Sequence, residues 1–449
     1  MHAATAARII VLTAEAFIMS ASVCAAPAPA NAVEIVALAK AAAEFHGGNT
    51  DTGQLYAQCF LSTIRNDVTF TPDGTTYVIT GDIGAMWLRD SSAQVRPYMF
   101  FASDPVVRSM LRGVIAREAK DIGIDPYANA FNRDYKVVEE KYELDSLLYP
   151  IQLAWMYWKA TGDKSVFTPD VKVSYEKALA VMELERDHSQ SHYRHRQLSN
   201  DGAGGGVGYT GMIWTGFRPS DDPTKYGYLI PDEMFAVAVL TELAEIESLV
   251  WHDSAKAQEV LSVHDGVADG INDFGIVYTP KYGYVYAYEV DGLGRSNLMD
   301  DANIPSLLSA PYIGYVDASD PIYQNTRRLI LSPDNPYYFQ GKVASGIGSP
   351  HTPKYFVWPL ALVMQALTST DPTEVANVLT ELRASDIGDH LLHESFDNDD
   401  PTRFTRSNFG WPCALFSELV IDRVMGDPPL PMLAVGDARA FQSARAGTR

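Results

Sequence analysis

The stretch LDSLLYPIQLAWMYWKATGD, residues 144–163, carries the pattern that decides the fold class of this chain. Apolar side chains recur in it at helical spacing, and Thr161-Gly162-Asp163 is a polar, glycine-containing end that stops a helix. The same pattern predicts further helices over residues 105–123, 171–186, 231–251, 255–271, 322–331, 356–367, 373–385 and 412–424. Shorter helices are predicted over residues 55–64 and 303–308. We therefore expect a mostly helical protein.

Hairpins and long loops separate these helices. Residues 68–79 predict a β-hairpin that turns at Asp73-Gly74, and residues 276–290 predict a second one. Long loops rich in glycine, proline, aspartate and aromatic residues cover 80–98, 200–231, 292–314, 335–355 and 393–412. Loops of this length inside a compact domain are usually functional. Helices that alternate with such loops favour an all-α fold, an α/α barrel whose loops build a pocket at one end.

Composition limits the classes of partner. The 449 residues carry a net charge of −21, and 47% of them are hydrophobic, as in a soluble globular protein. A strongly acidic chain repels nucleic acid and anionic membrane surfaces, so we expect neither as a partner. It suits a neutral substrate, which needs no electrostatic steering. No linker rich in Pro, Gly or Ser divides the chain, so one large domain is predicted over residues 33–427.

Both ends differ from this domain. Residues 1–32 are typical of a secretory signal, since Arg8 precedes the apolar stretch Ile9–Ala25 and Ala30-Asn31-Ala32 offers a cleavage site. We therefore expect a secreted or periplasmic protein. The apolar stretch is too short and too interrupted for a stable membrane anchor. Residues 428–449 are expected to be disordered or to lie on the surface.

The cysteines do not indicate a metal site. Cys24, Cys59 and Cys413 lack the CxxC and Cys/His spacings of structural zinc sites. Cys24 lies in the predicted signal. A Cys59–Cys413 disulfide and two buried free thiols both remain open.

The long loops combine the side chains that a sugar site needs. Aromatic rings cover the apolar faces of a sugar, while carboxylates, amides and arginine bind its hydroxyls. Hydrolysis also needs an acid for the leaving oxygen and a second carboxylate that activates water or attacks directly. Asp221 and Asp222 are adjacent, and two neighbouring carboxylates raise the pKa of one of them, as a general acid requires. Such pairs also form turns and helix caps, and this chemistry does not choose between the two residues.

Several other polar residues have both a structural and a functional interpretation. Trp87, Arg89 and Asp90 form either the floor of a sugar site or a core Trp above an ion pair. His351 could bind a sugar hydroxyl, although a lone histidine is usually structural. Asn303 could do the same or cap the helix predicted after it.

The second carboxylate has two candidates. Glu394 lies among His and Phe in the loop 393–412, and Glu418 lies on a predicted helix, where an ion pair is its usual role. Asp397, Asp399 and Asp400 follow Glu394, but their spacing lacks the Gly and the terminal Glu of an EF-hand, so no metal site is expected.

Taken together, these loops resemble glycoside hydrolase family 125, the exo-α-1,6-mannosidases of bacteria and fungi. The resemblance lies in stretches that occur in family order from about residue 50 to about 425: VITGDIGAMWLRDSSAQVRPY (78–98), DPYANAFN (125–132), KYELDSLLYPIQLAW (141–155), GMIWTGFRPSDDPTKYGYLIP (211–231), DANIPSLLSAPYIGY (301–315), NPYYFQGKVASGIGSPHT (335–352) and HESFDNDDPTRFTRSNFGWPCALFSELV (393–420).

This resemblance implies an (α/α)6 catalytic domain over residues 33–427. It implies that one mannose is released from the non-reducing end of α-1,6-linked mannosides, with inversion and without metal or other cofactor. It assigns Asp221 as general acid, with Asp222 as rival, and Glu394 as general base. The substrate-binding residues predicted from these stretches are Asp82, Trp87, Arg89, Asp90, Arg218, Asp222, Asn303, His351, His393 and Arg406.

Some positions depart from the family pattern. Arg96 stands where an aromatic residue is common, and Asp232-Glu233 replace a small residue and Asn. Residues 407–408 and 412–413 also differ. We expect these changes at the rim, where they concern the leaving side. Alternative functions are an exo-glycosidase for another sugar or linkage, a glycan-binding protein without catalysis, and a polysaccharide lyase, which the acidic charge disfavours.

Overall fold

The computed structural model describes residues 50–426 and Leu430. The predicted signal segment and, apart from Leu430, the predicted tail lie outside the described residues. In the described part, no helix is long and apolar enough to cross a bilayer. The α-helices of this part are α1 Asp51–Ser62, α2 Leu88–Val95, α3 Pro105–Ile124, α4 Leu144–Thr161, α5 Pro169–Glu185, α6 Ile230–Leu249, α7 Ser254–Gly270, α8 Pro321–Ile330, α9 Pro359–Leu367, α10 Pro372–Ala384 and α11 Gly410–Leu419.

The helices alternate along the chain between an inner and an outer layer. Helices α2, α4, α6, α9 and α11 are buried on nearly all sides, whereas the helices between them keep an exposed face. Neighbouring inner helices pack as α2 on α4, α4 on α6, α9 on α11 and α11 on α2. The two layers form an (α/α)6 barrel, which confirms the predicted fold class.

One inner position is filled without an α-helix. The turns of residues 302–316 contact α4, where the Tyr149 hydroxyl donates to the Ile304 carbonyl at 3.2 Å. The Asp300 carboxylate accepts the backbone N–H groups of Leu307 and Leu308 at 2.8 and 3.0 Å. Side-chain acceptors of this kind compete with the helical hydrogen-bond ladder. The helix predicted over residues 303–308 is therefore wrong.

Helix α2 lies inside the predicted loop 80–98, so that prediction is also wrong. Its sequence LRDSSAQV is mostly polar, yet all eight residues are buried. The polar side chains find buried partners: Ser91 and Ser92 donate to Glu118 at 2.8 Å, and Gln94 donates to the Ile79 carbonyl at 3.0 Å. Because these partners lie on other elements, the sequence pattern of α2 does not show an apolar helical face.

Four of the outer helices share a simple start signal. A side chain caps the first turn, and proline occupies the next position, where its fixed φ suits a helix and its missing N–H costs nothing. In α3, the Asp104 carboxylate accepts from Val106 at 2.8 Å and Val107 at 3.1 Å. The signal recurs as Thr168-Pro169, Asp320-Pro321 and Asp371-Pro372 at the starts of α5, α8 and α10.

Short antiparallel strands lie in the loops. Both predicted hairpins are present, with Val68 paired to Val78 and Ile276 paired to Tyr286. The strands of the described part are β1 Val68–Phe70, β2 Thr76–Val78, β3 Met86–Trp87, β4 Ala130–Phe131, β5 Val137–Glu139, β6 Tyr228–Leu229, β7 Ile276–Thr279, β8 Gly283–Tyr286, β9 Glu289–Val290, β10 Ser296–Asn297, β11 Tyr338–Gln340, β12 Ser345–Ile347, β13 Phe356–Val357, β14 Ser395–Asp397 and β15 Asp400–Thr405. They group into sheets as β1-β2, β3-β4-β5, β10-β9-β6, β7-β8, β11-β12 and β13-β14-β15.

Candidate active site

A cavity of about 300 Å³ lies where the inner helices begin. Trp87, Trp358 and Phe409 line it and are also the N-cap residues of α2, α9 and α11. Helix N-termini carry partial positive charge and stabilise anionic groups nearby. The barrel therefore directs favourable dipoles toward carboxylates in this cavity. Of the predicted site residues, Trp87, Arg89, Asp90, Asp221, Asn303, His351, Glu394 and Arg406 line it.

Asp221 lies at the tip of a tight turn that closes one side of the cavity. The turn is held by the Asp221 N–H, which donates to the Arg218 carbonyl at 2.9 Å, and by the Arg218 N–H, which donates to the Asp222 carbonyl at 2.8 Å. Asp221 has a φ of 65°, in the left-handed region that few non-glycine residues adopt. Backbone outliers of this kind cluster at functional sites, where the surrounding structure imposes them.

Two side chains that lie outside the helices contact the Asp221 carboxylate. The Asn129 side chain donates to it at 3.2 Å, and the Lys141 ammonium lies 3.7 Å away. Burial alone raises the pKa of Asp221, but the Arg89 and Lys141 cations and a hydrogen bond with Glu143 reverse this and hold the pKa below its usual range. The free protein therefore keeps Asp221 in its carboxylate form.

Arg89 is the central cation of the cavity floor. Its Nη1 lies 2.8 Å from Glu143 and 3.1 Å from Asp145, and its Nε lies 3.6 Å from Asp90. Burial raises the pKa of Asp90 to about 6, although the Arg89 cation opposes it. Arg89 and Asp90 thus form the predicted ion pair and also line the cavity, so the structural and the functional interpretation both apply.

Glu394 faces the cavity from the start of β14. The antiparallel register pairs Ser395 with Thr405, so Glu394 and Arg406 leave the sheet side by side. The Arg406 Nη1 is 3.8 Å from Glu394, whose side chain is 9% exposed. Burial raises the pKa of Glu394, while Thr405, Arg406 and His351 oppose the change. The result is a buried carboxyl group with a cation beside it.

Arg406 is itself fixed by the predicted residue Asp82. Its guanidinium donates to the Asp82 carboxylate at 2.8 Å and to the Thr80 carbonyl at 3.1 Å. Its φ of 47° is left-handed, as at Asp221. Asp82 therefore orients Arg406 and does not itself line the cavity.

Three further predicted residues lie at the cavity or its rim. The Asn303 side-chain amide is buried, and its Nδ2 has no hydrogen-bond partner among the described residues. It is a free donor for a sugar hydroxyl. His351 lies 3.7 Å from Asp222, and that carboxylate raises the pKa of His351.

Arg218 and His393 do not reach the cavity lining. Arg218 donates to the buried Glu289 at 2.7 Å and so supports the loop that carries Asp221. His393 stacks on Phe404 with 3.9 Å between ring centroids, and its Nε2 lies 3.4 Å from Asp389. Both contacts are structural in the free protein.

The cavity also contains residues that the sequence analysis left unassigned. Trp411 from the NFGWP stretch and Trp358 before α9 contribute aromatic surface. Glu143 and Asp145, which contact Arg89, come from the KYELD stretch of the family motifs. The KYELD motif was the sequence feature that could have indicated these two residues, but it does not show which carboxylates contact Arg89. The remaining unassigned lining residues are Thr80, Ile83, Pro219, Ser220 and Phe409.

Most departures from the family pattern do not lie at the rim, where we expected them; Ser407 and Asn408, next to the lining residue Arg406, are exposed and half-buried. Asp232 and Glu233 are fully buried in the first turn of α6. Arg96 is buried with its Nε 3.2 Å from Glu418, and Cys413 is buried on α11. The rim prediction failed for these residues because they are packed in or directly beside the inner helices.

One group of carboxylates in the described part has the spacing of a metal site. Glu176, Glu247 and Asp253 come together far from the cavity lining. The Lys172 ammonium contacts all three, at 3.5, 3.5 and 3.0 Å. The lysine therefore already supplies the cation that balances this group.

The barrel is similar to that of a bacterial glucoamylase solved in complex with acarbose. The TM-score is 0.59 at 15% sequence identity, over 83% of this chain and 55% of that one. At this identity the similarity concerns the fold alone. A barrel of this fold with two carboxyl groups lining one cavity has the groups that the class of (α/α)6-barrel glycoside hydrolases needs for catalysis.

Closer relatives narrow this class to one family. A metal-independent α-mannosidase of Streptococcus pneumoniae, solved in a non-productive complex with α-1,6-mannobiose, is 40% identical with a TM-score of 0.85, over 88% of this chain and 99% of that one. The meiotically up-regulated gene 157 protein of Schizosaccharomyces pombe is 37% identical over 85% of this chain and 84% of its own. The model of the metal-independent α-mannosidase family GH125 matches residues 49–137 and 132–421. The chain belongs to this family, as its motifs predicted.

Proposed function

We propose that this protein is an exo-acting mannosidase that releases the terminal mannose of α-1,6-linked mannosides with inversion at the anomeric carbon. Family membership supports α-mannoside hydrolysis without a metal ion. The α-1,6 linkage is supported by the streptococcal relative, which was solved with α-1,6-mannobiose.

The observation that carries the proposal is that Asp221 and Glu394, from distant loops, line the same cavity of about 300 Å³. This volume is at the lower end of small-molecule sites, which span roughly 300–1,000 Å³. It suits one terminal sugar better than an internal stretch of a polymer. Inversion needs a water molecule between the base and the anomeric carbon, so we expect the two carboxyl groups to lie roughly 6.5–9.5 Å apart.

Each carboxyl group has one task in this mechanism. Asp221 donates a proton to the glycosidic oxygen as the bond to the anomeric carbon breaks. Glu394 removes a proton from the water that attacks the opposite face of the sugar. The Trp87, Trp358 and Trp411 side chains in the lining offer apolar surface for the faces of the sugar ring.

The test is hydrolysis of α-1,6-mannobiose in the presence of a chelator, with the product anomer followed by NMR. We expect β-mannose first, and we expect Asp221→Asn and Glu394→Gln each to lower kcat by about 100- to 10,000-fold, the usual contribution of general acid or base catalysis. Asp222→Asn is the matched neighbour of the proposed acid and should lose about tenfold or less, because it lacks the proton-transfer role.

Other results would favour the alternatives. Early α-mannose would contradict inversion. Turnover of other aryl glycosides, but of no mannoside, would indicate an exo-glycosidase for another sugar. Sugar binding without any released reducing sugar would indicate a glycan-binding protein. A product that absorbs in the ultraviolet would indicate a lyase.

We also propose that residues 1–32 direct secretion or export to a periplasm. The charged start, the apolar stretch and the Ala30-Asn31-Ala32 site support this. The residues lie outside the described part of the chain. N-terminal sequencing of the protein recovered from its native compartment should begin near Ala32, whereas an intact Met1 would contradict the proposal.

A further inference from the structure

A cluster of buried acids lies behind Asp221. Glu143 and Asp145 at the start of α4 have fully buried side chains, and Asp232 in the first turn of α6 is equally buried. These acids surround Arg89, the cation that contacts both Glu143 and Asp145 directly. The mechanism described above uses none of the three acids.

The charges in this cluster do not balance if every acid is ionised. Arg89 contacts Glu143 at 2.8 Å, Asp145 at 3.1 Å and Asp90 at 3.6 Å. The two carboxyl oxygens of Asp232 have no hydrogen-bond partner among the described residues. An isolated buried carboxylate is very costly, and such groups take up a proton instead. Some of these acids must therefore be protonated at neutral pH.

Glu143 is the acid of this cluster whose carboxyl group interacts directly with that of Asp221. Its Oε2 accepts from Arg89 at 2.8 Å and from the Ser146 hydroxyl at 3.0 Å. Its Oε1 receives no N–H or O–H donor from the described residues. Its carboxyl group is nevertheless hydrogen-bonded to Asp221. Two carboxyl groups can share a hydrogen bond only if one of them carries the proton.

The surrounding charges place this proton on Glu143. Burial raises the pKa of Glu143 well above its usual value, and the nearby acids Asp221 and Asp145 add to the shift, while the Arg89 cation opposes it. The pKa of Asp221 is held low, mainly by Arg89 against the effect of burial. Asp232 and the ionisable groups Lys141 and Tyr193 also interact electrostatically with Glu143.

We propose that Glu143 is a positioning residue for the general acid, because it holds the proton that Asp221 passes to the leaving oxygen. This inference rests on the proposed function. Glu143 first gives its proton to the Asp221 carboxylate, and the protonated Asp221 then donates a proton to the glycosidic oxygen as the bond between that oxygen and the anomeric carbon breaks. Glu143 ends as a carboxylate bound by Arg89 and Ser146. The proton that Glu394 takes from water returns through solvent to the Glu143–Asp221 pair, so one water is consumed per bond cleaved.

Glu143→Gln tests the inference, because glutamine keeps an acceptor for Arg89 and a donor for Asp221 but carries no transferable proton. We compare kcat/KM for α-1,6-mannobiose with that for 2,4-dinitrophenyl α-mannoside, whose leaving group needs no proton. We expect about a 100-fold loss on mannobiose, the size of a general-acid contribution, and at most about a threefold loss on the aryl substrate. An equal loss on both substrates would show a merely structural role and overturn the inference.

Glu242→Gln is the matched control, since Glu242 is a buried glutamate whose pKa is raised to about 8 by burial. It contacts Gln152 at 3.3 Å and does not line the cavity. The control should hydrolyse both substrates at wild-type rates. If the wild type hydrolyses neither substrate, the proposed function itself is refuted, and the inference with it.

Ser146→Ala is a milder second variant in case Glu143→Gln does not fold. It removes the 3.0 Å hydrogen bond that stabilises the Glu143 carboxylate. Without it the pKa of the pair rises, so the decline of kcat/KM at high pH should move to higher pH. A decline that stays in place or moves to lower pH would overturn the inference.

Discussion

Arg406 contacts the proposed catalytic base and is itself held in place by neighbouring groups. It binds Asp82 and Thr80 and lies 3.8 Å from Glu394 in the cavity. Its positive charge opposes the effect of burial on the pKa of Glu394. The availability of the base as a carboxylate therefore depends on this arginine.

We predict that Arg406→Gln moves the acidic limb of kcat/KM to higher pH. A general base works only as a carboxylate, and its activity is lost as pH falls through its pKa. The pKa of Glu394 is already raised by burial, and loss of the cation raises it further. Arg403→Gln is the control, because Arg403 on β15 pairs with Asp397 on the neighbouring strand β14 and has a side chain that is 64% exposed. Its acidic limb should match the wild type, and an unmoved limb in Arg406→Gln would contradict the prediction.

The choice between Asp221 and Asp222 as the general acid depends on backbone geometry as well as on residue type. The chemistry of two adjacent carboxylates favoured an acid in this pair without choosing a member. The left-handed φ of Asp221 belongs to the turn that brings this residue to the cavity, while Asp222 lies near His351. Backbone direction in a tight turn depends on the contacts around it, which the sequence does not list.

At the scale of elements, the capped starts of the outer helices have a measurable effect. The Asp104 carboxylate satisfies two backbone N–H groups at the start of α3. We predict that Asp104→Ala destabilises the protein by about 1 kcal/mol and lowers the thermal midpoint, because these groups lose their acceptor. Activity at 25 °C should not change, since α3 does not line the cavity.

Asp170→Ala is the comparison for this measurement. Asp170 is an exposed acid in the first turn of α5, whose cap is Thr168. Its loss should cost only a few tenths of a kcal/mol through the helix dipole. If calorimetry gives equal shifts in thermal midpoint for both variants, the cap hydrogen bonds of Asp104 do not stabilise α3 as proposed.

At the scale of the whole molecule, the first outer helix meets the last inner helix. The thiols of Cys59 on α1 and Cys413 on α11 are free and buried, with 2.6 Å between their sulfur atoms. We predict that an oxidising buffer joins them in a disulfide that stabilises the barrel by about 2–4 kcal/mol, because the link restricts the unfolded chain.

The measurement compares thermal midpoints of oxidised and reduced protein. The oxidised form should melt higher and show no reactive thiol at these two positions after denaturation. Cys59→Ser provides the control, since it cannot form the bond and should melt equally under both conditions. Free thiols in the oxidised sample, or no difference in melting, would contradict the prediction.

The sequence by itself determined the helical periodicity, the start signals of the outer helices and the motifs that identify the family. Through the family resemblance it also proposed Asp221, with Asp222 as rival, and Glu394 as the catalytic carboxyl groups, because residue type and motif position are visible in the sequence. Only the tertiary structure decided that α2 is a helix, that turns replace an inner helix, and that Glu143 is hydrogen-bonded to Asp221. These features depend on buried polar groups that find partners on distant elements. Local patterns record the spacing of apolar residues, whereas the partner of a buried charge is set by how the whole barrel packs.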